Sequence, residues 1–283
     1  MRSPTLQAGP EVLGFELSAD ASVEDGWLVR EMYAPRGLDG PTGILQGGLS
    51  AGVSMAVARL ADRHGAPVTA VDARLHAPTP LDRVLTARVR PSQHTARYEV
   101  ETLDGGRLLM RAEVELAGHE PAARVADLVE LATVPLPDPE PQYLFPDCWV
   151  CGAEPGHPHG LRIHPRFHRP GEVSQPWIAD EVLAGERDAI DPLVVAAVLD
   201  CPSTWACMHA VEAMGLGVAL LGGYHLRFYR DAPVMDALRT VARFDEADGR
   251  KLRARSALVD EDGVTYAVAS ALQVAVAEAP TLG

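Results

Sequence analysis

The chain has 283 residues, of which 47% are hydrophobic and 23% are charged. This composition is typical of a folded globular protein with one large domain or two of about 140 residues, and it excludes disordered, collagen-like and coiled-coil chains. The 25 Lys and Arg against 39 Asp and Glu give a net charge of −14, which argues against nucleic acid or an anionic membrane surface as a partner.

The sequence also predicts a cytoplasmic protein. No apolar run reaches the roughly 18 residues of a membrane span, and residues 1–20 lack the basic and then apolar layout of a signal peptide. The four cysteines, at positions 148, 151, 201 and 207, are too few for a disulfide scaffold and fit a reducing compartment.

The first half of the chain predicts one long helix followed by an antiparallel meander. Residues 44–63 are small and apolar on nearly all faces, open with Gly47-Gly48 and end near Gly65, which predicts a buried helix. Turn sequences such as Asp-Gly-Gly at 104–106 separate runs of strand character. We predict strands at 12–17, 27–33, 68–76, 84–89, 96–103 and 107–116.

The second half repeats this order. Residues 192–214 predict a second apolar helix, and strands are predicted at 161–167, 174–178, 218–229, 238–244, 251–259 and 265–276. The stretch between the halves is rich in proline and acidic residues, which is typical of a linker. The sequence therefore predicts an N-terminal unit at 1–118, a linker at 119–146 and a C-terminal unit at 147–283.

Short motifs at the start of each unit resemble those of a known family. The Gln-Gly-Gly motif at 46–48 resembles the His/Gln-Gly-Gly helix start of hotdog enzymes. Cys-Trp-Val-Cys-Gly at 148–152, followed by Gly160-Leu161, resembles the opening of some single-domain hotdog thioesterases. The chain thus resembles the double-hotdog acyl-CoA thioesterases. The resemblance implies an α+β fold of two tandem hotdog units, each an antiparallel sheet wrapped round a central helix.

The resemblance also implies an acyl-thioester hydrolase with its site between two paired units. In many hotdog thioesterases the start of one helix supplies backbone N–H groups to the thioester carbonyl, and a carboxylate about nine residues into the facing helix is base or nucleophile. Nine residues after Gln46 the chain has Met55, whereas nine residues after Asp191 it has Asp200. One half keeps the Gly-Gly start and the other keeps the acid, so we predict one composite site per chain.

Each residue of this predicted site has a chemical role. The helix start at Gly47 and Gly48 offers unpaired N–H groups to an oxyanion, and glycine permits close approach of the acyl group. We predict that Gln46 orients the carbonyl or a water molecule. The apolar residues before Asp200 are expected to raise its pKa toward that of a useful base, and Thr204, one helical turn later, is expected to position the attacking water.

Structural and functional alternatives stay open beside this interpretation. In one structural alternative, Gly47-Gly48 only allows helix and sheet to pack closely. In another, Asp200 caps a new helical segment, because Pro202 follows two residues later. A non-catalytic acyl-thioester binding protein is one functional alternative. A hotdog hydratase or dehydratase is another, for which Asp72 and His76 form the nearest acid and histidine pair.

The segment after the predicted linker raises the alternative of a metal site. Cys148, Cys151, His157 and His159 are zinc-type ligands close together in the sequence. Their His-Pro-His spacing differs from that of common zinc sites, and the resemblance requires no metal, so neither a metal nor a cofactor is predicted. Cys201 and Cys207 are expected to pack inside the second helix.

The predicted partner is an acyl-CoA or acyl carrier protein thioester, with no nucleic acid and no membrane. A polyanionic ligand requires local positive charge on an acidic protein, so we expect Arg74 or Arg227 near the site entrance. Homo-oligomerisation is left open, because the double unit already supplies the pairing that single hotdog units obtain by dimerising.

Overall fold

The computed structural model describes residues 5–7, 9–120, 125–138, 144–185 and 188–282. The N-terminal half contains β1 (Thr5–Gln7), β2 (Glu16–Ser18), β3 (Ser22–Glu24), β4 (Trp27–Ala34), α1 (Gly47–Ala61), β5 (Val68–Leu75), β6 (Arg83–Pro91), β7 (Arg97–Asp104) and β8 (Arg107–Leu116). Further along the chain follow α2 (Ala126–Thr133), β9 (Arg166–Arg169), β10 (Glu172–Ile178), α3 (Pro192–Ala213), β11 (Val218–Phe228), β12 (Ala237–Asp248), β13 (Lys251–Asp260) and β14 (Thr265–Val276).

The strands of the described residues form a single antiparallel sheet of 14 strands. Its order is β1-β2-β4-β6-β7-β8-β5-β11-β14-β13-β12-β10-β9, with β3 paired to β4. β5 and β11 join the two halves, and Arg74 lies opposite Gly223 in this pair. α1 packs against β5 to β8, and α3 packs against β10 to β14. The predicted α+β fold of two tandem hotdog units, each a sheet wrapped round one helix, is therefore confirmed.

Side-chain caps fix where the two central helices begin. The Gln46 side-chain oxygen accepts a hydrogen bond of 2.8 Å from the Leu49 N–H, and Asp191 accepts one of 2.8 Å from the Leu193 N–H. Pro192 occupies the first turn of α3, where its missing N–H costs nothing. Both helices start within a few residues of the predicted positions, because these caps are visible in the sequence.

The two helices run antiparallel and touch at glycines of α1. A Cβ atom added to Gly48 would lie 2.3 Å from the carbonyl oxygen of Ala196, and one added to Gly52 would lie 2.9 Å from the Leu193 Cα. Both distances are too short for any side chain, so glycine is what allows the helix backbones to approach this closely. The approach brings the start of α1 beside the middle of α3.

α3 continues without interruption through Asp200 and Pro202. Its N-cap is Asp191, so the alternative in which Asp200 caps a separate helix is wrong. α3 is long and apolar enough to cross a membrane, but 83% of its most apolar window is buried inside the protein, as in the core helix of a folded domain.

A short helix occupies part of the predicted linker. α2 packs Leu128 and Leu131 onto Val241 of β12 and Val259 of β13, on the sheet of the C-terminal half. The prolines and acidic residues that flank this helix concealed it in the sequence. The predicted unit boundaries at 118 and 147 remain predictions, whereas the segment between them contains regular structure.

The segment before β9 also differs from its predicted strand at 161–167. The N–H groups of Leu161 and Ile163 donate hydrogen bonds of 2.8 Å to the carbonyl oxygens of Trp149 and Val150. These bonds hold residues 161–165 against the turn at 148–152, outside the sheet, and regular pairing begins only at Arg166. The turn thereby gains a fixed position next to α3.

Candidate active site

A cavity of about 260 Å³ lies between the two halves of the molecule. The start of α1, the end of β5, the middle of α3 and parts of β11 and β14 surround it. Gln46, Gly47, Asp200 and Thr204 are all at its surface. Its wall is otherwise mostly apolar, and contains Ile44, Leu45, Phe145, Trp205, Leu220 and Leu221. The two halves thus share one cavity that is suited to an apolar group.

Asp200 is buried at this cavity, and three N–H donors surround its carboxylate. One oxygen, Oδ2, accepts hydrogen bonds from Gln46 Nε2 at 2.8 Å and from the Gly48 N–H at 3.0 Å. The other, Oδ1, accepts one from Gln273 Nε2 at 3.2 Å. Burial raises the pKa of Asp200 to about 7, although the bonds from Gln273 and Gly48 act in the opposite direction. The carboxyl group can therefore gain and lose a proton near neutral pH.

The two glycines at the start of α1 have different surroundings. The Gly48 N–H is committed to Asp200, and Gly48 also permits the close contact of the helices. The Gly47 N–H has no hydrogen-bond partner in the described part of the chain, and Gly47 faces the cavity. A Cβ on Gly47 would lie 2.8 Å from Asp200 Oδ2, so this position also requires glycine. Gly47 is thus the donor left free for a ligand.

Gln46 and Thr204 contact Asp200 in ways that the sequence did not predict. The Gln46 amide caps α1 with its oxygen and donates to Asp200 with its nitrogen, so both ends are occupied within the protein. The Thr204 hydroxyl lies 3.4 Å from the main-chain carbonyl oxygen of Asp200. Gln46 therefore orients the carboxylate, and Thr204 presents a hydroxyl at the cavity wall one turn further along α3.

Sequence reasoning missed Gln273. This residue lies on β14, is fully buried, and donates hydrogen bonds to Asp200 and to Ser203 Oγ at 3.1 Å. Its side-chain oxygen is buried without a partner in the described residues. The signal was present in β14, where the other inward-facing positions from 267 onward are alanine, at Ala267, Ala269, Ala271 and Ala275.

The corresponding position in the other half has no equivalent arrangement. In α1 the position that corresponds to Asp200 of α3 is occupied by the buried Met55. In α3 the position that corresponds to Gly48 of α1 is occupied by Leu193. The cap of α3, Asp191, lies 3.6 Å from Arg59. The residues predicted for a composite site are therefore gathered once in the described structure, at the start of α1.

Three cysteines meet at the wall of the cavity. The sulfur atoms of Cys148, Cys151 and Cys201 all lie within 4.8 Å of one another, while His157 and His159 do not join them. The alternative of a site formed by two cysteines and these two histidines is therefore wrong. Hydrogen bonds from Cys151 and Cys201, together with backbone N–H groups, hold the pKa of the Cys148 thiol well below its usual value. Cys201 thus faces the other cysteines, next to Asp200.

The two arginines expected near the site entrance do not form part of the cavity wall. Neither Arg74 nor Arg227 lines it, and Arg227 lies 3.5 Å from the Glu120 carboxylate. The exposed His76 does reach the cavity wall. Asp72 is four residues earlier, which on an extended chain is about 13 Å away. Asp72 does not line the cavity, so this pair does not meet there.

Comparison with known proteins places this architecture in a fold class. No protein-family model matches the chain, and neither does any curated protein sequence. Among solved structures, acyl-CoA thioesterase II TesB2 from Mycobacterium marinum is similar, with a TM-score of 0.61 and 12% identity over 96% of this chain and 98% of that one. A hot dog fold protein of unknown function from Alicyclobacillus acidocaldarius has a TM-score of 0.55 and 13% identity over 93% and 97% of the two chains.

A third similar structure carries a ligand. The dehydratase domain of PpsC from Mycobacterium tuberculosis, in complex with C12:1-CoA, has a TM-score of 0.61 and 15% identity over 95% of this chain and 100% of that one. These likenesses show that the chain has a double-hotdog fold, as its motifs predicted. The fold is shared by thioesterases and by dehydratase domains, so the reaction must be argued from the site.

Proposed function

We propose that the protein hydrolyses acyl thioesters at a single site between its two hotdog units. The observation that carries the proposal is the Asp200 carboxyl group, buried at an apolar cavity with a pKa of about 7 and held by three N–H donors. A carboxyl group with this pKa can act as a general base at neutral pH. The free Gly47 N–H lies at the same wall, at the positive end of α1.

The proposed reaction uses water as the nucleophile. Ionised Asp200 accepts a proton from a water molecule as the water oxygen bonds to the thioester carbon. The carbonyl oxygen becomes an oxyanion, which the Gly47 N–H stabilises. The carbon–sulfur bond then breaks, the thiolate receives the proton from Asp200, and a carboxylic acid is left. Gln46 and Gln273 hold the carboxylate in place throughout.

Two observations favour an acyl thioester as the substrate. The cavity wall is mostly apolar, which suits an acyl chain, and the buried carboxyl group of Asp200 lies at the same wall. The similar PpsC domain is described with an acyl-CoA bound. We extend this ligand class to the present chain, with coenzyme A and acyl carrier protein as the two carriers to be compared.

A hydrolysis assay with matched variants tests the proposal. Short, long and aryl acyl-CoA substrates are incubated with the protein, and the free acid is measured by chromatography, because thiol reagents could react with the cysteines at the cavity. We expect Asp200→Asn to lower kcat by about 10²- to 10⁴-fold, the usual contribution of general acid–base catalysis. Asp191→Asn is the control, since it changes the other buried aspartate of α3 and keeps a good N-cap residue.

The outcomes separate the proposal from its alternatives. Turnover in wild type and Asp191→Asn but not in Asp200→Asn supports hydrolysis at this site. Equal turnover in the wild type and both variants would contradict the role of Asp200. Binding of acyl-CoA in a calorimeter without any acid formed would identify a non-catalytic binding protein. Loss of enoyl-CoA absorbance by hydration would identify a hydratase, a reaction for which Asp72 and His76 are badly placed.

A further inference from the structure

The cysteine cluster, which consists of Cys148, Cys151 and Cys201, combines two distant parts of the chain. Cys148 and Cys151 belong to the turn at 148–152, and Cys201 follows Asp200 in α3. All three residues are buried, and all three contribute to the cavity wall. Neither the hydrolytic steps nor the helix packing described above requires three thiols at one point.

The spacing of the sulfur atoms matches a tetrahedral metal site. Zinc binds cysteine sulfur at about 2.3 Å, so two sulfur ligands of a tetrahedral ion lie about 3.8 Å apart. The Cys148 and Cys201 sulfur atoms are 3.8 Å apart, and Cys151 lies within 4.8 Å of both. A bound ion therefore requires only small movements of the side chains.

N–H groups lie near two of the three sulfur atoms, those of Cys148 and Cys201. Backbone N–H groups of Val150 and Cys151 point at the Cys148 sulfur, as in the Cys-x2-Cys turns that hold zinc. Gln46 Nε2 lies 3.6 Å from the Cys201 sulfur, which adds a side-chain donor. Such N–H donors offset the negative charge that three thiolates bring to one buried ion.

We propose that the cysteine cluster binds Zn²⁺ through three thiolates, with the fourth ligand position open to the cavity. No histidine or carboxylate among the described residues lies close enough to complete the set. Three protein ligands and one open position are the pattern of zinc sites that bind water or a small ligand. The fourth ligand is water or a free thiol from the cavity, and binding releases the thiol protons to solvent.

The zinc content of the protein tests this site independently of hydrolysis. The chain is expressed in zinc-supplemented medium, purified with a reductant and without chelator, dialysed against metal-free buffer, and analysed for zinc, iron and copper. We expect about one zinc per chain in the wild type, and loss of that zinc in Cys148→Ala and Cys201→Ala. Cys207→Ala is the control, because Cys207 is a buried cysteine of the same helix outside the cluster.

Cobalt substitution keeps the test decisive if a variant fails to fold. Wild-type protein loaded with Co²⁺ should show a sulfur-to-cobalt charge-transfer band and the intense visible bands of a tetrahedral site. Cysteamine, a free thiol, should shift those visible bands by occupying the open position. A wild type that retains no zinc and shows no cobalt spectrum would overturn the proposal, as would a Cys148–Cys201 disulfide found by mass spectrometry in the reduced preparation. Zinc retained in Cys201→Ala would also overturn it.

Discussion

Substitution of Asp200 by Asn tests the buried carboxyl group through protein stability as well as through turnover. In the unfolded chain this carboxyl group has the ordinary pKa of 3.8, whereas burial raises it to about 7 in the folded protein. At about 1.36 kcal/mol for each unit of difference, ionising Asp200 in the folded state costs about 4 kcal/mol of stability. Asparagine has the same shape and cannot ionise, so it removes this dependence on pH.

The sign of the effect follows from proton binding. Between pH 4 and 7 the unfolded chain has lost the Asp200 proton while the folded protein still holds it, so the free energy of unfolding falls as pH rises. The contribution of Asp200 to the free energy of unfolding is complete below the pKa that the group has in the unfolded chain, and it is lost by about pH 7. Other carboxyl groups titrate in both proteins, and the difference between wild type and Asp200→Asn cancels them.

Urea denaturation of both proteins across this pH range measures the difference. Relative to Asp200→Asn, the free energy of unfolding of the wild type should fall by about 4 kcal/mol between pH 4 and pH 8. The amide of asparagine cannot accept hydrogen bonds from all three donors, which adds a penalty of about 1–3 kcal/mol to the variant at every pH. A stability difference that stays constant with pH, or that grows as pH rises, would refute the reasoning. So would a wild-type kcat/KM that does not rise through pH 7.

Three further changes probe the site and its support. Gly48→Ala should lower stability by about 1–3 kcal/mol in thermal unfolding, because its Cβ meets the Ala196 carbonyl at 2.3 Å, while the unobstructed Gly118→Ala should be neutral. Gln273→Leu removes a hydrogen-bond donor to Asp200, so the rising limb of the pH–rate profile should move to higher pH by about half to one pH unit. A rising limb at the wild-type pH would show that this hydrogen bond does not affect the pKa of Asp200. Burial alone would raise the pKa of Glu101, but the guanidinium groups of Arg88 and Arg111 hold it below its usual value. In urea denaturation near neutral pH, Glu101→Gln should therefore have a free energy of unfolding about 1–3 kcal/mol below that of the wild type. This difference should shrink as acid protonates the wild-type carboxylate. A difference that persists in acid would contradict the ion-pair explanation.

Much of the fold could be predicted because its signals are local. The two apolar helices, the alternating strands and the turn sequences lie within short windows, and they occur twice in the same order. The caps at Gln46 and Asp191 fixed the helix starts, and counting from them led to Asp200. The sequence did not predict α2, because this helix has only eight residues, buries a small apolar face and lies within a proline-rich stretch.

The sequence by itself thus determined the double-hotdog architecture and pointed to Gln46, Gly47, Gly48 and Asp200. Only the tertiary structure decided which of their hydrogen-bonding groups stay free, placed Gln273 on the carboxylate, and brought Cys201 to the two cysteines of the 148–152 turn. These contacts join residues separated by between 50 and 154 positions. They depend on how closely α1 crosses α3 and on the register of β14, and such long-range geometry follows from packing of the whole chain.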